Sequence, residues 1–231
     1  MIKRIAIINK SKAVSNDNVN RMTFACNLQL SRDVAPAWGK MAIPVTFYTS
    51  ESLVPAGSAK IFIFDNADNS GSLGYHGKTV DGLVFGKVFA KTIIDYGFQT
   101  LTSNTITVSS VLSHEVIEIF CNPYVSLWAD GTPILEGSQY AFEVCDPVQA
   151  DAYKVSIKLT KQSPSVIINV SNFIYPEYFN TSSPVGTKLD QMGLIKKPFT
   201  ITKNGYMIVR NRPGTETALF GSTYPEILKI L

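Results

Sequence analysis

The stretch SSVLSHEVIEIFCNP, residues 109–123, holds His114, Glu115 and Glu118. Side chains at i and i+4 of a helix project the same way from successive turns, so His114 and Glu118 can grip one cation. A glutamate directly after the first ligand is the arrangement of the H-E-x-x-H motif, where it acts as general base. Here Glu118 stands where the second histidine would be. On a helical wheel at roughly 100° per residue, Leu112, Val116, Ile119 and Phe120 share one arc. His114 and Glu118 lie roughly opposite, about 40° apart, with Glu115 beside them and Val111 in their sector. An apolar helix with a narrow polar slot suits a buried helix that presents a site. Unpaired charge in a core costs several kcal/mol, and a divalent cation is one way to satisfy it. Glu115 is angled away from the cation, where it could hold the attacking water, take its proton and pass it to the leaving group.

A third ligand must come from elsewhere. The run YAFEVCDPV, residues 140–148, carries Glu143 and Asp146 among apolar residues. Alternation along a strand puts Glu143 and Cys145 on one face and Val144 and Asp146 on the other. Only one of the two acids is then expected to face the cation, unless the strand bends, and either can be the ligand. His76, in LGYHG, is the only other histidine. Its glycine-rich setting lets backbone approach a ligand, so His76 and Tyr75 are expected on the substrate side.

The elements that must position these residues follow from periodicity. RIAIIN (4–9) reads as a strand. Ser15 can cap a helix on which Val19, Met22, Cys26 and Leu30 recur, ending before APAWG. IPVTFYT (43–49), AKIFIFDN (59–66) and LVFGKVFAKTII (83–94) read as strands. NADNSGSLGYHGKTVDG reads as a glycine-rich loop, and a helix is expected from about Thr105 to Phe120. The second half is β-rich, in QYAFEVCD, YKVSIKLT, SVIINVSNFIY and GYMIVRN. The expectation is an α+β fold, with residues 1–130 an α/β half and 131–231 a β-rich half in one compact unit.

Composition permits this. The chain has 231 residues, 45% of them apolar and 17% charged, enough to bury a substantial core. Net charge is +3 with no Lys/Arg cluster, which argues against nucleic acid as a partner. No apolar run approaches the ~20 residues that span a membrane. Cys26, Cys121 and Cys145 are odd in number and widely spaced, and read as buried thiols. The apolar run IAII near the start is shorter than a signal peptide's central region, so cytoplasmic synthesis is expected. The aromatic run NFIYPEYF (172–179) reads as core packing, or as the wall of a carbohydrate- or receptor-binding cleft.

Several segments taken together resemble an uncharacterised family of tailed bacteriophages and bacterial genomes with the pattern S-H-E-x-x-E followed by E-V-x-D. They are APAWG, LGYHG, GKVFAKT, VSSVLSHEVIEIFCNP, YAFEVCDPVQADAY, VSNFIYPEYF and GYMIVRN, and they span nearly the whole chain. The order strand, helix, strands, helix is also similar to that of zincin-like metallopeptidases. That resemblance implies His114 as first metal ligand, Glu115 as general base and Glu118 as second ligand. It also implies a substrate-holding edge strand around GYHG and GKVFAK. A carboxylate at Glu118 adds negative charge, which raises the pKa of a water on the cation and admits Ca²⁺, Mn²⁺ or Fe²⁺ beside Zn²⁺, the first expectation. The resulting expectation is a phage-type metal-dependent peptidase acting on a peptide or protein. The alternative is a degenerate site in a virion structural or cargo protein, whose partners are other virion proteins and which is packaged in or attached to the particle.

Overall fold

The computed structural model describes residues 2–69, 71–131, 136–211 and 214–221. β1 (Arg4–Asn9) is buried through residues 5–8, as a central strand covered on both faces must be. Ser15 caps α1 (Asn16–Gln29) by accepting from the Asn18 N–H, and Asp17 sits in the first turn. The helix does not stop before APAWG. It passes through a π-helical turn, Leu30–Val34, into a last short turn, α2 (Ala35–Ala37). Pro36 follows directly, and without an N–H it cannot continue the backbone ladder that Ala35 still makes to the Leu30 carbonyl.

β2 (Val45–Tyr48), β3 (Ser58–Phe64), β4 (Gly74–Lys78) and β5 (Val84–Phe89) follow. They join β1 in one sheet of order β2-β1-β3-β5-β4. β2, β1, β3 and β5 run parallel, and β4 pairs antiparallel with β5 at the edge. Two expectations fail here. GYHGK, expected within a loop, is the edge strand β4. Residues 83–94, expected as one strand, turn after Phe89 into α3 (Ala90–Asp95), where burial of Ala90 and Ile93 follows a helical spacing. The β-branched residues of AKTIID favour a strand in isolation, and tertiary packing overrides that preference.

α4 (Val108–Cys121) begins three residues later than expected, because Thr107 is its N-cap. The Thr107 hydroxyl accepts from the Ser110 N–H at 3.0 Å, and the Ser110 hydroxyl accepts from the Thr107 N–H at 2.9 Å, a capping box. Lys40 donates to the Cys121 carbonyl at the other end, at 3.1 Å, a cation where the helix dipole is negative.

Beyond residue 121 lie β6 (Trp128–Asp130), β7 (Gln139–Ala141), β8 (Ala152–Ile157), β9 (Val166–Ser171), β10 (Tyr206–Asn211) and β11 (Thr215–Phe220). β8 and β9 form an antiparallel ribbon, and a second antiparallel sheet has the order β11-β10-β7-β6. Residues 222–231 of the expected second half lie outside the described residues. The chain is α+β. α4 packs against β3, β4 and β5 on one side and β9 on the other, so all of its residues are buried. One hydrophobic cluster contains residues from both sides of residue 130, from Ile5 and Ile61 to Phe173 and Val209. Cys26, Cys121 and Cys145 are free and buried. Among the described residues no helix is long and apolar enough to cross a membrane.

Candidate metal centre

His114, Glu115 and Glu118 are 1%, 0% and 3% exposed, so α4 delivers an imidazole and two carboxylates into the interior. β4 delivers a second imidazole. Strand alternation turns Gly74 and His76 toward α4 and Tyr75 and Gly77 away from it. A Cβ on Gly74 would stand 2.9 Å from Glu115 Oε1, and one on Gly86, the partner of His76 on β5, 3.3 Å from Ile119 Cδ1. Glycine at these positions lets the sheet edge close on the helix. Tyr75, expected beside His76 at the site, lies on the opposite face of the sheet. There Lys87 sits over its ring and its hydroxyl donates to Asp68 at 3.1 Å.

The segment carrying Glu143 and Asp146 departs from its expected geometry. β7 ends at Ala141, and the chain bends into a 3₁₀ turn, Asp146–Val148, with Pro147 in its first turn. The bend cancels strand alternation and brings both acids to the cluster. The Cys145 N–H donates to Glu118 Oε1 at 3.1 Å, which fixes that carboxylate and leaves Oε2 facing the histidines.

The six side chains meet as follows. His114 Nε2 is 3.2 Å from Glu118 Oε2 and 3.3 Å from Asp146 Oδ1. His76 Nδ1 is 3.4 Å from Glu115 Oε2 and 3.5 Å from Glu118 Oε2, and its Nε2 is 3.7 Å from Glu143 Oε2. Charge-assisted hydrogen bonds are shorter, about 2.7–2.9 Å. Two donors on one cation with bonds of about 2.0–2.2 Å stand about 3.3–3.5 Å apart in tetrahedral geometry, which is the spacing seen. Glu143 Oε2, Asp146 Oδ1 and both oxygens of Glu115 are buried and have no hydrogen-bond partner, a costly state for acids that nothing else compensates. The donor atoms of His114, Glu118 and Cys145 lie within 4.8 Å of one another, and so do those of His76, Glu118 and Glu143.

Electrostatics report a surplus of negative charge in a dry site. Burial alone would lower His114, but Glu118 and Asp146 hold it well above the ordinary histidine value. Burial opposes protonation of His76 too, and Glu115, Glu143 and Glu118 outweigh it, raising its pKa to about 9. Burial, then the neighbouring Glu118, pushes Glu143 well above the usual carboxylate range and Asp146 up to about 7. Burial raises Glu115 above its ordinary value. Burial acts the same way on Glu118, but the His114 imidazole outweighs it and the pKa falls. Two raised imidazoles offset part of the acids' charge, and the same nitrogen and oxygen donors are of the types that hold a divalent cation.

Two residues of the site escape a reading of the sequence. Asn122, in the C-cap position of α4, donates to Glu143 Oε1 at 3.0 Å and accepts from the Ser126 and Leu127 N–H groups. Its place just before Pro123, at a helix end, was the available signal. Tyr206, on β10 and 1% exposed, hydrogen-bonds Asp146 through its hydroxyl. Nothing local in GYMIVRN marks it. Tyr206 also lines a cavity of about 150 Å³ with His76, Glu118, Glu143 and Asp146, and Trp128 is part of its wall. NFIYPEYF is mostly core: Phe173, Ile174 and Tyr178 are buried, and Phe179 stacks on Phe142.

No family model, no curated protein and no solved structure matches the chain.

Gly74 gives a direct check of this packing. Gly74→Ala brings a methyl to 2.9 Å from both Glu115 Oε1 and Val111 Cγ1 and to 3.0 Å from the Lys87 carbonyl. Overpacking of this kind costs about 1–3 kcal/mol. Urea unfolding is expected to show that loss. Unchanged stability would mean that the strand and the helix are not this close.

Proposed function

We propose that the chain is a metal-dependent hydrolase of zincin-like type acting on peptide bonds. The observation that carries this reading is the position of the Glu115 carboxylate, 3.4 Å from His76, beside a buried His/carboxylate donor set whose His76, Glu118, Glu143 and Asp146 line a cavity. His114 and Glu118 would hold a divalent cation, with Asp146 as third ligand. Asp146 Oδ1 is 3.3 Å from His114 Nε2, and Cys145, which shares a donor triad with His114 and Glu118, is the alternative third ligand. Zn²⁺ is the first expectation, and the carboxylate-rich set also suits Mn²⁺, Fe²⁺ or Ca²⁺. When bound, the cation supplies Lewis acidity for a carbonyl and lowers the pKa of water.

The chain's own residues supply the rest. Glu115 takes the proton of the attacking water and returns it to the leaving nitrogen. Glu118 is held by the Cys145 N–H, and Asp146 by Tyr206. β4 is an edge strand, antiparallel to its neighbour, and its free side suits an extended peptide added as one more strand. The order of strands and helix through α4 supports the zincin-like comparison.

A second reading has one observation in its favour. The site side chains are 11% exposed or less, which suits a cation that staples β4, α4 and residues 143–146 in a non-enzymatic virion structural or cargo protein. Incubation of the metal-loaded protein with a denatured protein substrate separates the two. Peptide cleavage that a chelator abolishes is expected for the hydrolase. Metal without cleavage would favour the staple.

A further inference from the structure

We propose that the cluster binds two divalent cations bridged by Glu118, with His76 and Glu143 holding a second ion beside the one assigned to His114 and Asp146. This rests on the metal-dependent reading above and extends it. The two imidazoles approach the same oxygen, Glu118 Oε2, at 3.2 and 3.5 Å. Yet they belong to different donor triads, His114 with Glu118 and Cys145, and His76 with Glu118 and Glu143, and Glu118 is the member common to both. Beyond Glu118 the two imidazoles meet different acids: Asp146 Oδ1 is 3.3 Å from His114 Nε2, whereas Glu115 Oε2 is 3.4 Å from His76 Nδ1 and Glu143 Oε2 is 3.7 Å from His76 Nε2. No ion pair among the described residues joins His76 to Asp146 or His114 to Glu143.

The carboxylates are oriented for this. The Cys145 N–H takes Glu118 Oε1 and leaves Oε2 between the imidazoles. Asn122 takes Glu143 Oε1, and Oε2 of that residue, 9% exposed, is left without a hydrogen-bond partner. Charge closes as well. With both imidazoles as neutral ligands, the ionised carboxylates of Glu115, Glu118, Glu143 and Asp146 match the charge of two dications. Two ions sharing a carboxylate stand about 3.5–4 Å apart and can hold both the attacking and the leaving atom of a displacement. His76, Glu118 and Glu143 all line the cavity, so the second ion would face the substrate.

The test is titration of metal-free protein with Mn²⁺, followed by equilibrium dialysis, elemental analysis and electron paramagnetic resonance. Two equivalents are expected in the wild type, with the spectrum of an exchange-coupled pair. His76→Ala and His114→Ala are each expected to keep one equivalent and to lose the coupling. One equivalent in the wild type that survives in His76→Ala would overturn the second ion and leave the hydrolase reading standing. One equivalent lost in both variants would also overturn it, since a single ion would then be shared. No binding at all would overturn both readings. The wild-type stoichiometry decides without reference to the folding of any variant.

Discussion

Glu115→Gln is expected to lower peptide hydrolysis by about 10²–10⁴-fold with the metal content unchanged. The expected loss is that of a general base. Glutamine matches the shape of glutamate and cannot accept the proton. Glu115 belongs to neither donor triad, so the cation should stay. The residue is fully buried and its Oε2 is 3.4 Å from His76 Nδ1, so glutamine keeps the shape but removes one partner of a buried charge contact, and turnover is compared on folded protein. Turnover of a denatured protein substrate and elemental analysis on the same preparations make the check. Wild-type turnover in Glu115→Gln would show that some other group handles the proton.

A saturating divalent cation is expected to raise the melting temperature by roughly 5–11 °C, and the rise should vanish in Glu118→Gln. A ligand that binds only the folded state at about 100 times its Kd stabilises by about 2.7 kcal/mol. For a chain of this length each kcal/mol moves the midpoint by about 2–4 °C. The sign follows from the burial of four acids around two imidazoles, a state that costs the apo fold and that the cation relieves. Glu118 is common to both triads, so it is the one substitution that should silence the response. Calorimetry with chelator and with added Zn²⁺ or Mn²⁺ makes the measurement. Coincident melting curves for the wild type would contradict it.

What could be read in advance divides by the range of the interaction that decides it. α4 announces itself locally, through Thr107 and Ser110 at its start and an apolar circumference broken by His114, Glu115 and Glu118. β3 and α1 are equally plain, because burial follows one period along each, and β1 is a short continuous apolar run. β4 is not. Its two glycines look like loop, and only the closeness of α4 explains why Gly74 must lack a side chain. Periodicity read this stretch as loop, so the contacts of His76 with Glu115, Glu118 and Glu143 were not legible from its own neighbours in the chain. The choice between Glu143 and Asp146 was posed on a strand that ends at Ala141, and the bend that follows presents both. Tyr206 reaches Asp146 across 60 positions of sequence, a contact that tertiary structure alone creates.

The measurement that bears most directly on this account is elemental analysis of the purified protein beside a His114→Ala/Glu118→Ala variant. At least one equivalent of a transition metal is expected in the wild type, and its loss in the variant. Absence of metal from the wild type, even after incubation with Zn²⁺, Mn²⁺ and Ca²⁺, would contradict it and leave SHEVIEIF as a salt-bridged core helix.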